Sequence, residues 1–345
     1  MSNLPSLFTP EVRTVDDWRA RRRELLELLS REEYGFTPDA PDSVRAEIVS
    51  TERVCAGKAN QSRINLSFDT PAGEFSFPFE LVVPVTGQPA PAFVALNFRP
   101  DIPDKYLPIE EIVDHGFAVA RIYYQDVSSD NAEIDGLAKM YPIDPATGWG
   151  KIGMWAFAAS RVMDYLETLE TIDHSRVCVI GHSRLGKTAL WCGAQDERFS
   201  RVVSNDSGCS GAAISRGKVG ESIERITNSF PYWFCGNYKN WADREYEAPF
   251  DQHMLLSLVA PRRLYVCSAT EDEWAGPKSE YQGAKEAAEA WKLLRAPGLI
   301  GPDEILAADT PLHAGHVAYH LRTGPHFQGR ADWNWVMAYR EKHLV

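Results

Sequence analysis

Hydrophobic and polar positions follow two different periods in the first 90 residues. Apolar residues recur every three or four positions over residues 14–34, which predicts a helix that is capped by Thr14 and ends at Gly35. From Val44 to Val85 the pattern changes to strand-like alternation, and a Pro-Ala-Gly segment at 71–73 interrupts it as a hairpin turn does. This region is therefore predicted to form a helix followed by antiparallel strands.

Beyond residue 90, short continuous apolar runs alternate with helical patterns. Such runs are typical of strands that are buried on both faces of a parallel sheet. Because helices join successive strands, we expect a mostly parallel sheet with helices on both faces, and functional groups at the carboxyl ends of its strands. The predicted strands lie at 90–98, 117–124, 201–208, 262–274 and 316–322, the predicted helices lie at 149–170, 277–294 and 331–344, and residues 175–199 contain a strand that runs directly into a helix.

Composition narrows the possible partners of the protein. The chain has 345 residues, of which 44% are hydrophobic, so it can bury a sizeable core within one α/β domain. Its net charge of −12 excludes a nucleic-acid partner, because a phosphate-binding surface needs a basic field. No apolar stretch approaches the roughly 20 residues that span a bilayer, so we expect no membrane partner.

The first residues lack a basic segment followed by an apolar one, which is the pattern of a secretory signal. We therefore expect a cytoplasmic protein, or a secreted or periplasmic one if a leader has been removed. The six cysteines are spread without a Cys-x-x-Cys pair, so we expect no metal site. The oligomeric state stays open, with a monomer as the expectation.

The candidate nucleophile is Ser183, which lies where the strand within 175–199 meets its helix. A tight strand–turn–helix bend lifts a serine hydroxyl clear of the sheet, and the start of the helix offers N–H groups to an oxyanion. Gly181 and Gly186 relieve crowding at this bend. The usual esterase pattern is Gly-x-Ser-x-Gly, whereas Leu185 occupies the second glycine position here. The alternative is a serine that only caps the helix.

The candidate general base is His326. In an α/β-hydrolase the histidine follows the last strand, late in the chain. Among the late histidines only His326 falls in the loop after the strand at 316–322. His313 and His316 come before that strand, or at its start, and His320 is expected to be a packed or hydrogen-bonded strand residue.

Two carboxylates qualify as the acid that orients the histidine and stabilises its charged form. Asp272 follows the strand within 262–274, where most α/β-hydrolases carry this residue. Asp206 ends the preceding strand, 23 positions after Ser183. The pattern of residues does not decide between them. Glu271 and Glu273 are expected to be solvated.

Five ordered segments resemble carbohydrate esterase family 15, the glucuronoyl esterases, and mainly its bacterial members. The similarity runs over roughly residues 15–345. The segments are GHSRLGKTALWCGA (181–194), SNDSGCSGAAISR (204–216), GESIERITNSFPYWFC (220–235), EDEWAGP (271–277) and YHLRTGPH (319–326). The resemblance implies an α/β-hydrolase three-layer sandwich in one domain, 1–345, with residues 1–90 as an N-terminal helix and antiparallel strands and residues 91–345 as the catalytic core.

The resemblance also implies roles for particular residues. Ser183 and His326 match the nucleophile and the base, and Arg184 would help hold the oxyanion. Lys187 and Glu221 would bind sugar hydroxyls, and Trp274 matches an aromatic residue at the sugar site. The alternatives are ordinary salt bridges for the three charged residues and a core position for the tryptophan. Many members carry a glutamate where this chain has the shorter Asp206.

The expected activity is hydrolysis of esters of 4-O-methyl-glucuronate, by a two-step acyl transfer without a cofactor. The family resemblance implies an ester between glucuronate on xylan and a lignin alcohol, so the partner is a small-molecule or oligosaccharide uronate ester. A cytoplasmic form would act on imported uronate esters or on small aryl and alkyl esters. The alternatives are an acetyl esterase or general small-ester hydrolase with the same triad, and a sugar-binding relative without activity.

Overall fold

A nine-stranded sheet runs through the computed structural model, which describes residues 3–101, 104–304 and 307–343. The strands are β1 (Arg45–Val54), β2 (Ala59–Thr70), β3 (Gly73–Pro84), β4 (Ala90–Asn97), β5 (Ala118–Tyr123), β6 (Ile172–His182), β7 (Arg201–Asn205), β8 (Arg263–Ala269) and β9 (Val317–Arg322). Their order across the sheet is β1-β2-β3-β5-β4-β6-β7-β8-β9. The first three strands are antiparallel and β3 pairs antiparallel with β5, whereas β5, β4 and β6 to β9 run parallel. The predicted mostly parallel sheet is confirmed.

Helices cover both faces of this sheet. They are α1 (Val15–Leu29), α2 (Ile109–Asp114), α3 (Leu137–Met140), α4 (Lys151–Leu166), α5 (Arg184–Gln195), α6 (Ile223–Ser229), α7 (Gln252–Ser257), α8 (Pro277–Leu293) and α9 (Arg330–Lys342). Alternate residues of a strand point to opposite faces. Ala92, Val94 and Leu96 of β4 lie in a core cluster with α1, α4, α5, α7 and α8, whereas Phe93 and Ala95 lie in a second cluster with α2 and α9. The three layers of the α/β-hydrolase fold follow from this arrangement.

The N-terminal helix begins as predicted. The Thr14 hydroxyl accepts a hydrogen bond from the N–H of Asp17 at 3.2 Å. The helix continues as a π-helical turn over Ser30–Tyr34 and stops at Gly35, whose φ is 85°. A Cβ at Gly35 would lie 2.3 Å from the Cα of Trp149, so only glycine fits there.

One turn in the antiparallel region was not predicted. Besides the hairpin at 71–73, the chain reverses between β1 and β2 at Cys55–Gly57. Every residue of β1 except Val54 is exposed, so the strand does not carry the alternation that marks a half-buried element.

The later elements that were predicted match their ranges to within a few residues, apart from the strand predicted at 262–274, which ends at Ala269 and leaves the acidic residues in the loop after it. The short helices α2, α3, α6 and α7 were not predicted. The closing helix was predicted for residues 331–344, and Leu344 lies outside the described residues. Within the described part of the chain, no helix combines the length and the apolar character that crossing a bilayer requires.

Candidate active site

Ser183 occupies a strained bend between β6 and α5. Its φ is 58° and its ψ is −128°, a conformation that is costly for a residue with a side chain. Its N–H donates to the carbonyl of Asn205 at 2.8 Å, which fixes the bend against β7. A Cβ at Gly181 would lie 2.1 Å from the carbonyl oxygen of Leu185, and one at Gly186 would lie 3.0 Å from Ser207 Cβ. The two glycines therefore permit the bend, although the second is displaced from the usual pattern.

Arg184 begins α5, and its half-buried guanidinium is enclosed by three aromatic rings. It lies 5.7 Å from the ring centre of Phe98, 5.6 Å from that of Phe230 and 4.9 Å from that of Trp233. Its Nη1 donates to a carboxylate oxygen of Asp130. These contacts hold a cation next to Ser183, where negative charge develops in acyl transfer.

Asp130 was missed by sequence reasoning. Besides binding Arg184, its carboxylate accepts hydrogen bonds from Trp233 Nε1 at 2.7 Å and from the hydroxyl of Tyr124 at 3.0 Å. A signal was present in the sequence, because this aspartate belongs to the polar segment that follows the buried strand β5.

His326, in the loop after β9, meets Asp272, in the loop after β8. His326 Nδ1 lies 2.5 Å from Asp272 Oδ2, and Asp272 Oδ1 accepts the N–H of Ala275 at 3.0 Å. Burial acts to raise the pKa of Asp272, but the hydrogen bond and charge of His326 outweigh it, so the pKa lies below its usual value. Asp272 is therefore ionised at neutral pH and orients the imidazole.

The imidazole of His326 also packs against His182, the residue before Ser183. Their ring centres are 4.4 Å apart. His182 is buried, and burial together with the neighbouring charge of His326 lowers its pKa to about 3. A neutral ring at the end of β6 therefore lies against His326, and this contact places the C-terminal loop beside the strand–helix bend.

Asp206 lies close by but does not bond the imidazole of His326. Its Oδ2 accepts the backbone N–H of Phe327 at 3.2 Å, and within the described residues its buried Oδ1 has no hydrogen-bond partner. Burial and the nearby carboxylates of Glu280 and Asp272 raise its pKa well above the usual value. Burial thus favours the protonated form of Asp206, which supports the loop through the N–H of Phe327, whereas Asp272 supplies the charge.

Lys187 and Glu221 form a buried ion pair one helical turn beyond Ser183. Lys187 Nζ lies 3.0 Å from Glu221 Oε2 and also donates to the carbonyl of Ser207 at 2.6 Å. Glu221 Oε2 accepts the N–H of Cys209 at 3.1 Å as well. The two predicted sugar-binding residues are brought together, and they are bonded to each other.

Trp274 is half-exposed, with 49% of its surface accessible, so the alternative of a core position is wrong. The guanidinium of Arg225 lies 5.5 Å from the centre of its ring. The carbonyl of Trp274 accepts the N–H of Glu221 at 3.0 Å, which joins this exposed aromatic surface to the buried pair. Glu271 and Glu273 are exposed, as expected.

The other late histidines lie away from the strand–helix bend. His320 is buried, with Nε2 2.8 Å from Asp332 and Nδ1 2.9 Å from the hydroxyl of Tyr265, so its predicted packed position is confirmed. His313 Nε2 lies 2.7 Å from the same hydroxyl, and burial lowers its pKa to about 4. His316 precedes β9, at the amino end of the strand, and its Nδ1 lies 3.1 Å from the carbonyl oxygen of Pro261.

One group of side chains has the composition of a metal site. A ring nitrogen from each of His182 and His326 and an oxygen of Asp206 lie within 4.8 Å of one another. The raised pKa of Asp206 and the hydrogen bond of His182 Nδ1 to Asn205 at 2.6 Å make this a poor set of ligands. The arrangement is suited to proton transfer rather than to ion binding.

Comparison with known proteins places the chain among esterases. Residues 67–295 match the family model of fungal glucuronyl esterases. The carbohydrate esterase MZ0003 from an unknown prokaryotic organism is 33% identical over 97% of this chain and 87% of its own length. The 4-O-methyl-glucuronoyl methylesterase of Podospora anserina is 28% identical over 86% of this chain, which spans 60% of that protein.

A solved structure shares the whole fold. The glucuronoyl esterase from Solibacter usitatus superposes with a TM-score of 0.89 at 34% identity, over 99% of this chain and 98% of that one. The family match covers well over half of the chain and includes the bend at Ser183 and the acid at Asp272. This protein belongs to the glucuronoyl esterases of carbohydrate esterase family 15.

Proposed function

We propose that the protein is a serine esterase that hydrolyses esters of glucuronic acid or its 4-O-methyl ether, with Ser183 as nucleophile, His326 as base and Asp272 as the acid. The observation that carries the proposal is the His326–Asp272 hydrogen bond of 2.5 Å beside the strained bend that carries Ser183. The family and the names of the relatives support the substrate class.

In the first step Ser183 Oγ attacks the ester carbonyl carbon. Nδ1 of His326 faces Asp272, so Nε2 is the nitrogen that takes the serine proton. Arg184 and the N–H groups that open α5 stabilise the negative oxygen of the tetrahedral intermediate. The intermediate collapses when the bond to the alcohol oxygen breaks and His326 returns the proton to that oxygen.

In the second step water replaces the alcohol. His326 removes a proton from the water as it attacks the acyl carbon, and the bond to Ser183 breaks with return of the proton to Oγ. The uronic acid is released and the enzyme is regenerated. Water is the only co-reactant that this hydrolysis requires.

Specificity for a sugar acid is assigned to Lys187, Glu221 and Trp274. The buried ion pair supplies a donor and an acceptor for neighbouring hydroxyl groups, and the exposed tryptophan supplies a flat apolar surface for a pyranose ring. An acetyl group can reach Ser183 but can use none of these contacts.

The test of the substrate class compares benzyl glucuronate with p-nitrophenyl acetate. We expect a larger kcat/KM for the glucuronate when both rates are corrected for the intrinsic reactivity of the two esters in alkaline hydrolysis. Faster corrected turnover of the acetate would discard the glucuronate assignment and favour the acetyl esterase alternative.

We expect Glu221→Gln to raise KM for benzyl glucuronate by about 10-fold, because a hydrogen bond to a charged group contributes about 1.5–3 kcal/mol. KM for p-nitrophenyl acetate should change by less than about twofold. Steady-state kinetics on both substrates measure the two values, with Glu271→Gln, an exposed glutamate close in sequence to Asp272, as the matched control. Equal changes for both substrates would show that Glu221 does not contact the sugar.

A further inference from the structure

One side chain binds the loop of His326 on both sides of the imidazole. Arg322 ends β9, and its Nη2 donates to the carbonyl oxygens of Pro325 and Phe327 at 2.7 Å each. Its Nη1 donates to the carbonyl oxygen of Thr323 at 3.0 Å. The residues immediately before and after His326 are therefore attached to the same nitrogen of one guanidinium group.

That guanidinium is itself held by a buried carboxylate. Arg322 Nε lies 3.0 Å from Oδ2 and 3.1 Å from Oδ1 of Asp332. Asp332 also accepts the N–H of Gly329, where the loop ends, at 2.7 Å, and lies 2.8 Å from His320 Nε2. Burial acts to raise the pKa of Asp332, but the hydrogen bond with His320 outweighs it and the pKa is lowered. Asp332 is therefore a buried, ionised anchor for the guanidinium.

The same anchor reaches the nucleophile. Asn205 Nδ2 lies 3.4 Å from Asp332 Oδ1, and the carbonyl of Asn205 accepts the N–H of Ser183 at 2.8 Å. A chain of hydrogen bonds thus runs from the Ser183 bend through Asn205 and Asp332 to Arg322 and the loop carbonyls. Ser183 and His326 are therefore both linked to the carboxylate of Asp332, although they lie 143 positions apart in the sequence.

We propose that Arg322, held by Asp332, is a positioning residue that sets the place of His326 relative to Ser183. The inference rests on the proposed function, because it takes His326 as the base. The loop needs such a support, since His326 has 40% of its side chain exposed and water competes for its contact with Asp272. The proposal gives Arg322 no contact with the substrate, because its guanidinium is taken up by Asp332 and the loop carbonyls. Its contribution is the geometry of proton transfer, in which a displacement of about 1 Å can cost about 100-fold in rate.

The test is steady-state kinetics of Arg322→Met on whichever ester the wild type hydrolyses fastest. We expect kcat to fall by about 30-fold to 300-fold, with KM changed by less than about twofold. Arg322→Lys keeps the charge, but lysine lacks the planar guanidinium that reaches all three carbonyls. We therefore expect its kcat to fall by about 10-fold. The matched control is Arg330→Met, which removes an exposed arginine paired with Glu111 at 2.8 Å at the start of α9.

A spectroscopic readout separates positioning from general destabilisation. A proton held between His326 Nδ1 and Asp272 should give a far-downfield resonance in the proton NMR spectrum, assigned by its loss in His326→Ala. We expect that resonance to weaken or disappear in folded Arg322→Met and to persist in Arg330→Met. Circular dichroism and thermal unfolding establish the folded fraction of each variant.

The proposal is overturned if folded Arg322→Met keeps kcat within twofold of wild type, or if its loss of kcat only follows its loss of folded protein while the downfield resonance stays. Should Arg322→Met not fold, Arg322→Lys decides in the same way, and wild-type kcat in that variant overturns the proposal. Full activity of His326→Ala would instead overturn the proposed function, so the two failures are distinguishable.

Discussion

Replacing Ser183 with alanine should abolish nearly all turnover. We expect Ser183→Ala to lower kcat for benzyl glucuronate by about 10,000-fold or more, since nucleophile and base act as a unit and losing either removes covalent catalysis. The fold should persist. The bend already holds a residue with a Cβ at a φ of 58°, so alanine adds no backbone strain.

Two measurements check this expectation. The first is kcat of purified Ser183→Ala beside that of Ser50→Ala, a control at an exposed serine of β1. The second is mass spectrometry of wild type treated with a fluorophosphonate, which should label the peptide that contains Ser183. Activity of Ser183→Ala equal to that of wild type would contradict the acyl-enzyme mechanism. Labelling of another serine would identify that serine as the nucleophile instead.

The two carboxylates near His326 should respond very differently to the same substitution. We expect Asp272→Asn to lower kcat by about 1,000-fold to 10,000-fold, because the amide no longer stabilises the charged imidazole and favours the wrong tautomer. Asp206→Asn should lower kcat by less than about fivefold. Burial and neighbouring carboxylates raise the pKa of Asp206 and so favour its neutral form, which asparagine copies in shape.

The measurement is kcat of Asp272→Asn, of Asp206→Asn and of the variant that carries both substitutions. Comparable losses from the two single substitutions, with a double variant no worse than either, would show that the carboxylates act together as one clamp. That outcome would also mean that Asp206 acts in its charged form, which its burial disfavours. Thermal unfolding of each variant establishes that the compared proteins are folded.

The secondary structure could be predicted well because most elements are either half-buried or fully buried. Helix α1 shows the apolar spacing of a half-buried helix, and β4 shows the unbroken run of a strand that is covered on both faces. The turn at Cys55–Gly57 was missed because β1 is exposed, so burial imposes no pattern on it. Chain reversals of this kind depend on pairing with β2, which is a tertiary contact.

The site could be predicted in part. The bend at Ser183 has a local cause, since glycines must flank a strand–helix junction that is this tight, and the position of His326 follows from the order of strands in the chain. No comparable sequence motif surrounds Asp130, Arg322 or Asp332, although Asp130 follows a buried strand. Their importance comes from what they contact, and their partners lie on other elements.

The sequence by itself determined most of the elements, the mostly parallel sheet and the two segments, one in mid-chain and one near the C-terminus, that supply the hydroxyl and the imidazole. These features depend on local periodicity and on steric limits within a few residues. Only the tertiary structure decided which carboxylate bonds His326 and which one has a raised pKa, because both follow adjacent parallel strands and look alike in sequence. Both side chains are buried, and the difference between them is the hydrogen bond that joins Asp272 to His326, 54 positions away, which the local pattern does not show.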